Sequence, residues 1–84
     1  MIKVLFFARI REQLGRSVLE LELDSGVEKL CDLQNQLITA HGPEWEQALT
    51  APNVVRAVNQ EVVDLDCLIG DGDEVAFFPP VTGG

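Results

Sequence analysis

The residues with the clearest scope for chemistry stand at the end of the chain, in Val81-Thr82-Gly83-Gly84. Two glycines carry no Cβ atoms, so this end is thin enough to be threaded through a narrow channel and presented to a second protein's active site. The one reactive group it offers is the α-carboxylate of Gly84. A pKa of about 3.5 leaves that carboxylate ionised at neutral pH, and the anion is a poor electrophile. Chemistry on it therefore requires activation, most simply by ATP to an acyl-adenylate. The plainer readings are a frayed end or an expression scar. Against a scar stands the sequence directly before it, a strand followed by Pro79-Pro80.

Other candidate groups carry less. Cys31 and Cys67 lie far apart, form no C-x-x-C and fall short of an iron–sulfur ligand set; the single His41 adds little for zinc. Both cysteines sit in apolar contexts and read as buried free thiols. His41 has no Ser or Cys nucleophile motif beside it and reads as a helix-terminal structural histidine. Asp71 and Asp73 resemble the start of a calcium loop, but the pattern fails beyond them, which leaves turn-forming aspartates. There is no Ser-His-Asp set. Gly70 and Gly72 open a strand, not a helix, so they do not make a phosphate-cradling loop.

The elements that must position the tail follow from periodicity. Ile2 to Ala8 reads as a strand with two apolar faces: Ile2, Val4 and Phe6 on one, Lys3, Leu5 and Phe7 on the other. Such a strand is covered on both sides, or keeps one face for a partner. Arg9 to Gly15 is a short connector with a helix-like turn stopped by Gly15, and it holds Arg9 and Arg11, which serve solubility or a partner. Ser17 to Leu23 alternates, with Leu19, Leu21 and Leu23 inward, and pairs with the first strand as an antiparallel hairpin. Ser25-Gly26-Val27-Glu28 fits a capping box and predicts a helix from Val27 to His41, ended by Gly42-Pro43. Its apolar stripe is Val27, Leu30, Cys31, Leu37 and Ile38, with Leu33 at the edge. On this reading Ser25→Ala costs about 1 kcal/mol. Pro43 to Asn53 is read as one helical turn whose Trp45 lids the core. Val54–Val58 and Glu61–Val63 are strands joined by an Asn59-Gln60 turn, and Leu65, Leu68 and Ile69 are expected to tuck under the sheet. Glu74 to Phe78 is the last strand, with Val75 and Phe77 opposite Glu74, Ala76 and Phe78; Pro79-Pro80 stops it.

Eighty-four residues make a single domain, 1–84, with 79–84 as an extended tail reaching roughly 20 Å. Fourteen acidic residues against six basic give a net charge of −8. That balance argues against nucleic acid or an anionic membrane as partner; it suits a basic protein, or simply a solvated acidic surface. Absence of a signal peptide and of any membrane-length apolar run predicts a reduced, cytoplasmic protein.

Asp71-Gly72-Asp73-Glu74-Val75-Ala76-Phe77-Phe78-Pro79-Pro80-Val81-Thr82-Gly83-Gly84 resembles the C-terminus of the small, sulfur-carrying subunits of molybdopterin synthase. Ile2-Lys3-Val4-Leu5-Phe6-Phe7-Ala8, Arg11-Glu12 and Ala57-Val58-Asn59-Gln60 are similar too. The resemblance spans the whole chain and is weakest from Leu30 to Pro52. It implies a carrier with no stably bound cofactor. An adenylyltransferase related to ubiquitin-activating enzymes spends ATP to make a glycyl-adenylate at Gly84. A sulfur donor then displaces AMP and leaves a thiocarboxylate. The tail, Val81, Thr82 and Gly83, enters the large synthase subunit and gives sulfur to cyclic pyranopterin monophosphate. Phe7, Arg11, Val62 and Phe78 match positions that the family uses for docking, with Val62 smaller than its counterparts. The family also implies two carriers on a central dimer of the large subunit. Rival readings are a thiazole-pathway sulfur carrier, a ubiquitin-like protein modifier and a plain adaptor.

The element order predicts an α+β fold. If the first and last strands are central neighbours they run parallel, because the helix between them is a crossover. That is the β-grasp, or ubiquitin-like, arrangement: a mixed sheet with one main helix on one face. The pattern alone also allows a ferredoxin-like split, which needs a second long helix.

Overall fold

In the computed structural model, which describes residues 1–79, five strands and three helices follow one another. They are β1 (Ile2–Phe6), α1 (Ala8–Leu14), β2 (Val18–Leu21), α2 (Leu30–His41), α3 (Pro43–Leu49), β3 (Val55–Val58), β4 (Glu61–Val63) and β5 (Glu74–Phe78). The sheet order is β2-β1-β5-β3-β4. β1 and β5 lie side by side and parallel, with Val4 beside Val75 and Phe6 beside Phe77. Parallel neighbours need a crossover, and the segment through α2 and α3 supplies it. The remaining pairs are antiparallel. This is the β-grasp arrangement expected from the first and last strands. No helix among the described residues is long and apolar enough to cross a membrane.

Strand alternation divides the sheet into two unlike faces. Ile2, Val4, Phe6, Val75 and Phe77 point toward α2 and are buried beneath its Leu30, Leu33 and Leu37. The Phe6 ring stacks on Phe77 at 5.9 Å and meets Trp45 edge-on at 5.3 Å. Trp45 thus closes the core as expected, from a helix of two turns instead of one. His41, the last residue of α2, stacks on the indole at 3.8 Å, which gives it a packing role. Arg56 is the polar anchor of this face. Its Nε donates to the buried Gln34 Oε1 at 2.9 Å, and its Nη atoms donate to the Leu49 and Val54 carbonyls at 2.7 and 3.2 Å. Burial pushes its pKa below the usual arginine value.

Five expectations need correction. The main helix begins at Leu30, not Val27, because the residues before it are held extended: Lys29 bridges Leu68, the Ile69 N–H donates to the Glu28 carbonyl, and the Leu30 N–H to that of Cys67. Ser25 is therefore outside the helix, in a turn next to Gly26 at φ +90°, and Ser25→Ala is stability-neutral. The apolar stripe centres on Leu30, Leu33 and Leu37, with Cys31 and Ile38 only half-buried. Leu68 points outward at 71% exposure, while Leu65, Cys67 and Ile69 pack against the core; Cys31 and Cys67 are free and half-buried.

The cap that α2 uses is Asp32, whose carboxylate accepts the backbone N–H groups of Glu28 and Lys29 at 3.1 and 3.0 Å. These bonds to the charged form lower its pKa below the ordinary 3.8. A depressed folded-state pKa contributes stability that is present above the unfolded value and lost as pH falls through the folded one. Asp32→Ala is therefore expected to lower the melting temperature near neutral pH. The gap from the parent chain should close as the pH drops below 3.8, which thermal melts across an acid series will show.

Candidate functional site

The face of the sheet turned away from α2 is open, and its register can be read across the strands. Val18 of β2 lies opposite Leu5 of β1, Leu5 beside Ala76 of β5, Ala76 opposite Ala57 of β3, and Ala57 opposite Val62 of β4. One apolar row thus crosses the sheet from edge to edge. Its middle is made of alanines, its edges of valines. The small methyls of Ala57 and Ala76 form the floor of a trough of about 310 Å³, with Leu5 at one end and Val62 at the other.

Phe7 and Phe78 make the wall nearest the chain's exit. Phe7 continues β1 by one extended residue, and its N–H donates to the Phe77 carbonyl at 3.2 Å. The chain then turns sharply at Ala8, a non-glycine residue at φ +52°, and enters α1. Phe78 ends β5 directly before Pro79. The two rings stack at 4.6 Å and are within 5° of coplanar orientation. Phe7 remains 38% exposed and Val62 75%. Leu5 and Phe78 are half-buried and the alanine floor is buried, so the apolar side chains that reach solvent here are chiefly Phe7 and Val62.

The structure therefore brings Phe7, Phe78 and Val62 together around one trough. Arg11 is not among its lining; it is exposed in the last turn of α1. Val81, Thr82, Gly83 and Gly84 lie outside the described residues. Among the described residues no cluster of His, Cys, Asp or Glu is arranged to hold a metal. Sequence reasoning put Leu5 and Phe7, and Glu74, Ala76 and Phe78, on the open side of their strands, but missed the part of the trough that β3 and the following turn supply, Ala57 and Gln60. A signal was available in Asn59-Gln60. Both residues have positive φ, 51° and 71°, and such a two-residue hairpin turn fixes Val62 opposite Ala57 and sets Gln60 at the trough's edge.

Comparison with known proteins agrees with this geometry. The ThiS family profile matches residues 4–84. The chain is 48% identical over 85 residues to the molybdopterin synthase sulfur carrier subunit of Escherichia coli, covering all of both chains. Among solved structures, molybdopterin converting factor subunit 1 from Pyrococcus furiosus matches with a TM-score of 0.74 at 32% identity, over 95% of this chain and 97% of that one. Small archaeal modifier protein 1 of Haloferax volcanii matches with a TM-score of 0.81 at 27% identity, over the same shares of the two chains. The sequence, the parallel β1–β5 pair and the full-length match lead to one conclusion: the chain belongs to the ThiS family, alongside relatives named as molybdopterin synthase sulfur carrier subunits.

Proposed function

We propose that this chain is a sulfur carrier for molybdopterin synthesis, which holds sulfur as a thiocarboxylate on Gly84. The observation that carries the reading is the 48% identity, over the full length of both chains, to the Escherichia coli sulfur carrier subunit. The open trough beside the root of the tail supports it, as a place where the large synthase subunit holds the body while the tail is delivered.

The proposed chemistry balances with all catalytic groups in the partners. The Gly84 carboxylate attacks the α-phosphorus of ATP in an adenylyltransferase, and pyrophosphate leaves. A sulfur nucleophile attacks the acyl carbon, the bond to the phosphate oxygen breaks, and AMP departs. The product sulfur is far more nucleophilic than a carboxylate oxygen, so in the large subunit it can attack an oxygen-bearing carbon of cyclic pyranopterin monophosphate. The C–S bond forms as the C–O bond breaks, and the oxygen leaves with its electron pair and takes up a proton. Water taking the acyl group then frees the sulfur and restores the carboxylate. In this scheme ATP belongs to the activating enzyme, and the carrier supplies a carboxylate, a thin tail and a docking face.

One rival has an observation in its favour: the likeness to small archaeal modifier protein 1 fits a protein modifier that joins Gly84 to a lysine. Intact mass after incubation with an activating enzyme, ATP and sulfide separates the two. The expected result is a gain equal to one oxygen exchanged for sulfur. A ladder of larger adducts on target proteins would favour the modifier, and an unchanged mass would leave neither standing.

A further inference from the structure

The trough has two unlike walls. Opposite the Phe7–Phe78 stack stand Glu74 and Gln60. Asn59 fixes the backbone of Glu74 from both sides, accepting its N–H at Oδ1 (3.0 Å) and donating its own N–H to the Glu74 carbonyl (2.7 Å). The Glu74 carboxylate itself makes no hydrogen bond or ion pair with any described residue, although the residue is half-buried. Lys3, its register neighbour on β1, is exposed and does not pair with it.

We propose that Glu74, with Gln60 beside it, is a receptor for a lysine or arginine side chain of the large synthase subunit, and so sets the orientation in which that subunit docks. The inference rests on the docking reading given above. A partner that fills an apolar trough strips water from its wall, and a carboxylate covered without a new partner is costly. The occupant must therefore bring a donor to Glu74, and a cation answers both the charge and the lost hydrogen bonds. The net charge of −8 points the same way, since it disfavours a second copy of this chain as the occupant. Glu74 and Phe78 begin and end the same strand, about 13 Å apart along it. An occupant with its cation at one wall and its apolar side chains at the other fits in one direction only. Reversed, it sets hydrocarbon against the carboxylate. A single docking direction fixes where the partner's active site lies relative to the root of the tail.

The test measures binding of the large subunit to the full chain, with association and dissociation followed separately and circular dichroism as the fold control. Glu74→Gln, which keeps shape and removes charge, is expected to weaken binding at least about tenfold, through faster dissociation. The loss should persist at high salt, because a covered pair is screened less than an exposed one. Gln60 is exposed on the turn, so its variants carry little folding risk. Gln60→Glu should tighten the complex and Gln60→Lys should weaken it. If all three variants bind like the parent while Phe78→Lys does not bind, the trough docks but Glu74 is a bystander, and the inference is overturned. If Phe78→Lys also binds like the parent, the docking face itself lies elsewhere and the inference falls with it.

Discussion

Removal of Gly84, or addition of one residue after it, is expected to abolish thiocarboxylate formation while leaving the melting temperature where it stands. The chemistry needs a carboxylate at a terminus thin enough to reach a phosphorus atom inside another protein. Deleting Gly84 moves that carboxylate back by one residue, about 3.5 Å, and an extension replaces it with an amide. Either change misplaces the nucleophile by more than an active site tolerates, since errors near 1 Å already cost about a hundredfold. Gly83→Val is expected to fail for a different reason, because its branched side chain widens the thread. Stability is indifferent to all three changes. Among the described residues, the buried core runs from Ile2 to Phe77. Intact mass after activation, paired with a thermal melt, checks the expectation. A shortened chain that still acquired sulfur would overturn the carrier reading.

The parts of this molecule that were legible in sequence are those where one period dominates. Alternation in Ile2–Phe7 and Glu74–Phe78 assigned each side chain to a face, and the structure keeps every assignment: Val4, Phe6, Val75 and Phe77 inward, Leu5, Phe7 and Phe78 on the open side. Their parallel pairing followed from the crossover between them. What failed was local capping logic. The motif at Ser25 and Glu28 matched a helix start, yet the β-bridge from Lys29 to Leu68 held the backbone extended, and Asp32 took over as cap. A tertiary pairing outweighed a local signal, and no window of a few residues contains it. Leu68 was misplaced for the same reason: its bridge partner fixes it outward. Arg56 went unremarked because a lone arginine in a strand carries no sign of its acceptors, which come from Gln34 and from the Leu49 and Val54 carbonyls. The candidate site divides along the same line. Phe7, Phe78 and Glu74 were visible from alternation, whereas Ala57 and Gln60 join the trough only through the β3–β4 and β3–β5 registers.

Phe78→Lys is expected to cost at least about 2 kcal/mol in binding the large synthase subunit, as central aromatics of an interface do, with the fold intact. The fold survives because Phe78 is the last residue of β5 and its ring faces away from α2, against Phe7. Among the described residues, the last member of the core beneath the helix is Phe77, one residue earlier. Binding suffers because the lysine replaces half of a stacked pair with a charge that must be desolvated when the partner covers it. The rings at 4.6 Å present one continuous surface, so Phe7 and Phe78 should act as a unit. Phe7→Ala and Phe78→Ala together should then weaken binding by less than the sum of the single changes, with a coupling of about 0.5–1.5 kcal/mol. Calorimetric titration of the two single variants and the double variant measures that coupling, and circular dichroism confirms that each is folded. Additive losses would mean that the partner reads each ring separately. Unchanged affinity for Phe78→Lys would remove the aromatic wall from the docking face, and with it the argument that the partner holds the body at the point where the tail departs.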